Sequence, residues 1–261
     1  ATRDLAALFQ RFEEFHFERA LYVVGSEQRL HFRQLKGVLR RMGLEWEARV
    51  EHVPFGLLRL PEGKLSTRRG QVIFLEDVLD QVVAEARRII DEKNPALADR
   101  AGVAELVGIG ALIFDDLKRE RVKDVVFDLQ EILSFEGETG PYLQSTHARL
   151  ASILRKSAEP QHRSSREAPL DEALLADAAS VLSALGRFPE VVRQAAAQAE
   201  PALLSTWLLA LAREINSWYV DHRVLGVDPA TSRARLELVE ACKSVLANGL
   251  HLLGIGAPEE M

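Results

Sequence analysis

An α/β region followed by an all-α region is the fold class the sequence predicts, and three observations carry it. Strand-like runs such as "ALYVVG" and "EHVPFGLLRL" alternate with helical stretches in the first third of the chain. From about Asn94 onward nearly every apolar pattern has helical spacing, for which a helical bundle is the natural packing solution. At 261 residues the chain is long enough for one large or two ordinary domains, each with its own core.

The elements follow in order. A helix is predicted from Asp4 to about Phe17, then the strand "ALYVVG", then the helix "HFRQLKGVLRRMG". In that helix Phe32, Leu35, Leu39 and Met42 share an apolar face and Gly43 supplies the stop. Arg29, Arg33, Lys36 and Arg40 recur on another face, which on pattern alone reads as a solvated basic surface. After the strand "EHVPFGLLRL" comes the loop "KLSTRRG", and "QVIFLEDVLD" begins as a strand and runs into helix. "AELVGIGALIFDDLKRE", "DEALLADAASVLSALGRF", "ALLSTWLLALAREINSWYV" and "ARLELVEACKSVLANGLHLLG" are helices by spacing and length. "SAEPQHRSSREAP", polar and holding two prolines, reads as an inter-helix loop. The chain has no internal repeat and no low-complexity tract.

A net charge of −6 argues against a generally basic nucleic-acid binder, while leaving room for local cationic clusters that meet a polyanion. One cysteine, Cys242, excludes a disulfide framework and points to a reducing compartment; within its helical pattern it reads as filler. No apolar run approaches the length of a bilayer span. The chain starts at Ala1 in helix-forming sequence, without a signal-peptide pattern, as a fragment would.

Two segments carry candidate chemistry. The "KLSTRRG" loop offers Lys64, Ser66, Thr67, Arg68 and Arg69, which suit a triphosphate: cations neutralise phosphate charge, hydroxyls donate, and Gly70 permits a close turn. An ordinary exposed basic turn has the same composition, and the loop lacks P-loop spacing. In "VVGSEQRLH", Gly25, Glu27, Gln28 and His31 fall where a strand enters a helix, the end at which open α/β sheets bind ligands. A plain helix start capped by Ser26 or Glu27 is the competing reading. Asp4 suits either a guanidinium partner or the start of its helix. The other histidines, His16, His52, His147, His162, His222 and His251, show no metal-ligand spacing, and no Gly-x-Ser-x-Gly turn occurs.

The stretch "LSFEGETGPYLQSTHARLASILRK" closely resembles the arginyl-tRNA synthetases. "TRDLAAL", "YVVGSEQRLHFRQL", "EHVPFGLLRLPEGKLSTRRG", "VGIGALIFDDLKRERVKDVVFD" and "VLANGLHLLGIGAPEEM" follow in the family's order, so the resemblance covers nearly the whole chain. It implies the C-terminal half of a Rossmann-like class I catalytic domain with connecting helices over 1–118, then a helical anticodon-binding domain over 119–261. "KLSTRRG" is similar to the KMSKS loop that holds the ATP phosphates, with Leu65 for the Met and Thr67 for the second Lys. The resemblance gives Lys64, Ser66, Arg68 and Arg69 the catalytic roles, the two arginines sharing the work of the missing cation. It assigns Gly25, Glu27 and His31, with Lys64, to ATP, and Asp4 and Gln28 to substrate arginine.

In the helical half the resemblance gives Glu136, Gly137, Thr139 and Tyr142 to the anticodon arm, along with Trp218, Tyr219 and Arg223 from "NSWYVDHRV". Aromatic rings and arginine suit unstacked bases, although core packing is the common role of a helical tryptophan. Gln144 to Leu170 carries five cations against two acids, which favours an RNA backbone. At Ser145 and Thr146 the family more often has Tyr and Ala.

No His-x-Gly-His occurs, so the family's HIGH motif is expected outside this chain, and the Tyr expected just before Ala1 is missing. The implied whole enzyme is a cytoplasmic monomer of protein biosynthesis that joins arginine to tRNA(Arg). It uses ATP as a substrate with Mg2+, no bound organic cofactor, no DNA and no membrane. This chain alone is expected to be inactive while keeping some tRNA affinity. A truncated, non-catalytic paralogue that binds tRNA or a protein partner is the alternative; intact Asp4, Gln28 and Lys64 favour descent from a working enzyme.

Overall fold

The structure, a computed structural model, describes residues 2–59, 74–126 and 129–261. The chain divides into two compact units: Ala1–Lys64 with Glu120–Phe127, and Leu65–Arg119 with Asp128–Met261.

The first unit is α/β. Helix α1 (Thr2–Phe15) ends before His16, which takes a left-handed φ of 46°, so the helix stops two residues short of the predicted Phe17. Strand β1 (Ala20–Gly25), a 3-10 turn at Ser26–Gln28, helix α2 (Arg29–Arg41) and strand β2 (Val50–Phe55) follow. β1 and β2 pair in parallel from Ala20↔Val50 to Gly25↔Phe55, so α2 is the crossover that parallel strands require. A second parallel pair joins β3 (Leu58–Arg59) to β4 (Val125–Val126). The core is Leu8, Phe32, Leu35, Leu39 and Val50, with Tyr22 and Val24 packed against it. Trp46 stacks on Phe12 at 4.7 Å and meets Phe9 and Phe17 edge-on, closing the end of α1 over that core.

The second unit is helical. It comprises α3 (Leu75–Lys93), α4 (Arg100–Leu117), α5 (Leu129–Ile132), α6 (Gly140–Ser157), α7 (Arg163–Glu167), α8 (Ala179–Gly186), α9 (Phe188–Gln198), α10 (Ala202–Asp221) and α11 (Pro229–Leu252). Helix starts obey local chemistry: Asp99 accepts from Gly102 N at 2.9 Å, and Asp228 accepts from Thr231 N at 3.0 Å just ahead of Pro229. The predicted inter-helix loop instead holds a 3-10 turn at Pro160–His162 and the short α7, because proline is tolerated in a first turn.

α10 and α11 supply most of one continuous core, centred on Leu208, Leu211, Ile215, Leu238 and Leu246. Truncating such a fully buried leucine typically costs about 2–5 kcal/mol. α4 and α6 approach closely because a Cβ on Gly140 would come within 2.8 Å of the Gly110 carbonyl. The segment after α11 is held down by side chains of α6: Gln144 Nε2 donates to Gly256 O at 2.8 Å, His147 Nδ1 to Pro258 O at 2.9 Å, and Arg155 to Glu259 O at 2.8 Å. Among the described residues, no helix is long and apolar enough to cross a membrane.

Candidate functional site

Each unit presents a candidate site. In the first, the pleat of β1 sends Tyr22 and Val24 into the core and leaves Gly25 at the carboxyl end of the strand. A Cβ on Gly25 would meet nothing within 4 Å, and its φ of −51° is open to any residue, so neither packing nor backbone calls for glycine there. Open space above a strand end suits close approach by a ligand. The neighbouring Ser26 Oγ is buried and finds no hydrogen-bond partner among the described residues.

The 3-10 turn carries Glu27 and Gln28, both exposed, and α2 then brings His31 back toward α1. His31 Nε2 donates to Asp4 Oδ2 at 3.1 Å. Their side chains are 33% and 44% exposed, so the pair is reachable from solvent. The ring of Phe32 lies beside both His31 and His52, stacking on His52 at 4.5 Å, while His52 Nε2 donates to Val24 O at 2.9 Å. Strand, helix and histidines are thus fixed to one another around the strand end. Lys64, Ser66, Arg68 and Arg69 lie outside the described residues.

In the second unit the residues before α6 form its cap. Thr139 is 4% exposed; its Oγ1 accepts from Tyr142 N at 3.3 Å and donates to Ser134 O. Gly137 has a φ of 84°, a left-handed conformation that glycine adopts without strain. This cap opens onto a groove of about 730 Å³. Glu136, Gly137 and Tyr142, expected from the sequence, line it together with Lys93, Arg149 and Asn216, which were not.

Asn216 organises the wall. Its Nδ2 donates to Tyr142 Oη and to Thr146 Oγ1, each at 3.0 Å, and its Oδ1 accepts from Arg149 at 2.5 Å. Lys93 Nζ sits 4.6 Å above the Phe135 ring. The groove therefore combines aromatic rings, a polarised amide and two cations, the ingredients that hold an unstacked base and its phosphate. Tyr142, Ser145 and Arg149 fall on one helix face by spacing, which is the signal that would have found Arg149. Lys93 and Asn216 come from other helices and only the packing reveals them.

The remaining expected residues lie at the end of α10 and differ in exposure. Trp218 is 6% exposed; His222 stacks on it at 5.6 Å, and its Nε1 donates to Asp177 at 3.5 Å. Its ring packs inside the bundle instead of facing solvent, the usual fate of a helical tryptophan. Tyr219 is half-buried against the core, and Arg223 is exposed with its carbonyl accepting from Arg235 at 2.7 Å.

The family described as the catalytic domain of class I (R) tRNA synthetases matches residues 1–129, and the DALR anticodon binding domain matches 143–261. All of the chain aligns with the arginine–tRNA ligase of Ligilactobacillus salivarius at 46% identity and with that of Enterococcus faecalis at 47%, covering 45% of each relative. The chain therefore spans about half the length of the curated relatives it matches. Among solved structures, Thermus thermophilus arginyl-tRNA synthetase superposes with a TM-score of 0.82 at 32% identity, over 94% of this chain and 41% of that one. The Plasmodium falciparum arginyl-tRNA synthetase shares the fold, with a TM-score of 0.81 at 20% identity over 99% of this chain and 44% of that one.

Proposed function

We propose that this chain, which belongs to the class I arginyl-tRNA synthetase family, works as part of an arginine–tRNA ligase. In that reaction the arginine carboxylate attacks the α-phosphorus of ATP and pyrophosphate leaves. The arginyl group then passes from AMP to a hydroxyl of the terminal ribose of tRNA.

The observation that carries the reading is the meeting of Asp4 and His31 at the carboxyl end of β1. A carboxylate accepts a guanidinium in a planar, charge-assisted pair that the point charge of lysine does not reproduce. The His31 N–H fixes the plane of that carboxylate, and Gln28, at the start of α2, offers an amide that both donates and accepts. Gly25 leaves room for ATP and Glu27 accepts from the ribose hydroxyls. Lys64, Ser66, Arg68 and Arg69 hold the phosphates and gain strength as charge builds on the departing pyrophosphate, which lowers the barrier. Mg2+ is proposed to arrive on the triphosphate. Among the described residues no three metal-ligating side chains converge.

Residues 1–118 are proposed as the catalytic portion and 119–261 as the anticodon-binding portion of a cytoplasmic monomer. The groove of the helical unit, to which Lys93 contributes from the 1–118 portion, takes an unstacked base of the anticodon arm against Tyr142, while Lys93 and Arg149 neutralise phosphate and Glu136 and Gly137 form the rim. Tyr219 and Arg223 extend the surface, whereas Thr139 and Trp218 act from within by shaping the helices that carry it.

Binding of the chain to arginine tRNA, compared with the same tRNA bearing a replaced anticodon, tests the reading. A loss of more than about 1 kcal/mol at matched salt is expected for the swap. Equal binding of both, varying only with salt, would remove the anticodon role of the groove.

A further inference from the structure

Helix α2 carries Arg29, Arg33, Lys36, Arg40 and Arg41 and no acidic residue across Arg29–Arg41. At 3.6 residues per turn, Arg29, Arg33, Lys36 and Arg40 fall within about 60° of one another and extend roughly 16 Å along the axis. Like charges three and four residues apart repel and weaken a helix, whereas several other helical arginines of the chain have a counter-charge. Arg87 pairs with Asp91, Arg88 with Glu85 and Glu92, and Arg233 with Glu237, each inside its own helix.

Two cations of the stripe, Lys36 and Arg40, meet a counter-charge from outside the helix. Glu47, 7% exposed, lies 3.6 Å from Lys36 and 3.3 Å from Arg40. Arg29 and Arg33 are exposed, and among the described residues neither has a carboxylate within ion-pair distance. An anchored, undercompensated cationic stripe on a chain of net charge −6 concentrates a polyanion on one face of a surface that otherwise repels it.

We infer that the Arg29–Arg33 end of this stripe is a docking surface for the phosphodiester backbone of RNA, in the α/β unit and separate from the helical groove. The inference rests on the reading that this chain engages tRNA, and adds a second contact to it. Three features select an RNA strand over a single phosphate. The cations are spread along a rigid helix instead of converging on one point, and guanidinium groups match phosphate oxygens in pairs. The helix also starts at the turn that holds Glu27 and Gln28, so a strand along the stripe reaches that turn at its Arg29 end.

The test is the binding of fluorescently labelled arginine tRNA to the chain across about 50–200 mM salt. The variants are Arg29→Gln with Arg33→Gln, the corresponding double lysine substitution, and Tyr142→Ala. Each phosphate contact contributes about 0.7–0.9 to the slope of log K against log salt, so the double Gln variant is expected to lose roughly 1.5 of slope, equally for native and anticodon-swapped tRNA. The double Lys variant keeps the slope, and an unchanged thermal midpoint shows that the fold is intact. An unchanged slope in the double Gln variant overturns the stripe. If Tyr142→Ala leaves anticodon discrimination intact while double Gln lowers the slope, the groove reading fails and the stripe stands. If the unsubstituted chain does not bind tRNA, both fall.

Discussion

His31 on α2 donates its Nε2 proton to Asp4 on α1 across 3.1 Å, tying the two helices that flank the end of β1. The contact joins two residues assigned on resemblance to different substrates, His31 to ATP and Asp4 to arginine. A change in either is therefore expected to reach both. In the arginine–tRNA ligase of which this chain is proposed to be part, Asp4→Asn keeps the shape and removes the charge. Hydrogen bonds to a charged group are worth about 1.5–3 kcal/mol, so the KM for arginine in pyrophosphate exchange is expected to rise by roughly 10–100-fold. His31→Ala is expected to raise the KM for ATP and for arginine together. An effect of Asp4→Asn on ATP alone would detach Asp4 from the amino acid.

Asn216 is the single amide that holds Tyr142, Thr146 and Arg149 in place. Asn216→Ala removes three hydrogen bonds, two of them part-buried, and a cost of about 1–3 kcal/mol is expected in urea denaturation, with weaker binding of the anticodon arm. Asn216→Asp keeps an acceptor for Arg149, and the Tyr142 hydroxyl can turn to donate, so most of the stability is expected to remain. Equal losses in both variants would show that the amide donor, not the network, is what matters.

How much of this was legible before the structure depends on whether a feature is local. The β1–α2–β2 unit was readable because the apolar positions of α2 repeat at helical spacing beside two apolar runs. The groove was half readable. Glu136, Gly137 and Tyr142 sit in one continuous motif, but Lys93 and Asn216 arrive from α3 and α10, and no local pattern joins residues so far apart. The short β4 was missed because two residues carry no periodicity, and its partner β3 is what defines it. "ALYVVG" reads as apolar on both faces, yet Leu21 and Val23 are 46% and 65% exposed while their neighbours face the core. Burial of a second face depends on what lies against it, which the run itself does not encode.

Cys242 is 1% exposed, and burial pushes its thiol up to about 12, so the reactive thiolate is scarce at neutral pH. The reading of this residue as filler leads to a kinetic expectation. At pH 8 a thiol-specific reagent should label the folded chain only as fast as the helical unit opens, and label the chain in denaturant at once. Rapid stoichiometric labelling of the folded chain would mean that α11 is accessible where the structure closes it.

His147, also 1% exposed, donates to the Pro258 carbonyl and so holds the last segment of the chain against α6. Burial lowers its pKa below the ordinary 6.5, and this outweighs the opposing pull of the Pro258 carbonyl and Glu259. The unfolded chain therefore takes up a proton at a higher pH than the folded chain does, and stability rises with pH wherever the unfolded state binds more protons. The contribution of this histidine is complete above about pH 6.5 and fades as the pH falls toward its folded pKa. Protonation does not break the bond itself, since Nδ1–H donates in either state; the cost is a charge placed where water is excluded. Urea midpoints measured between pH 5 and 8 are expected to fall on the acid side of this window. His147→Asn, whose amide can make the same donation without titrating, should flatten that limb. A variant that keeps the full acid limb would assign it to other groups and leave His147 with a packing role only.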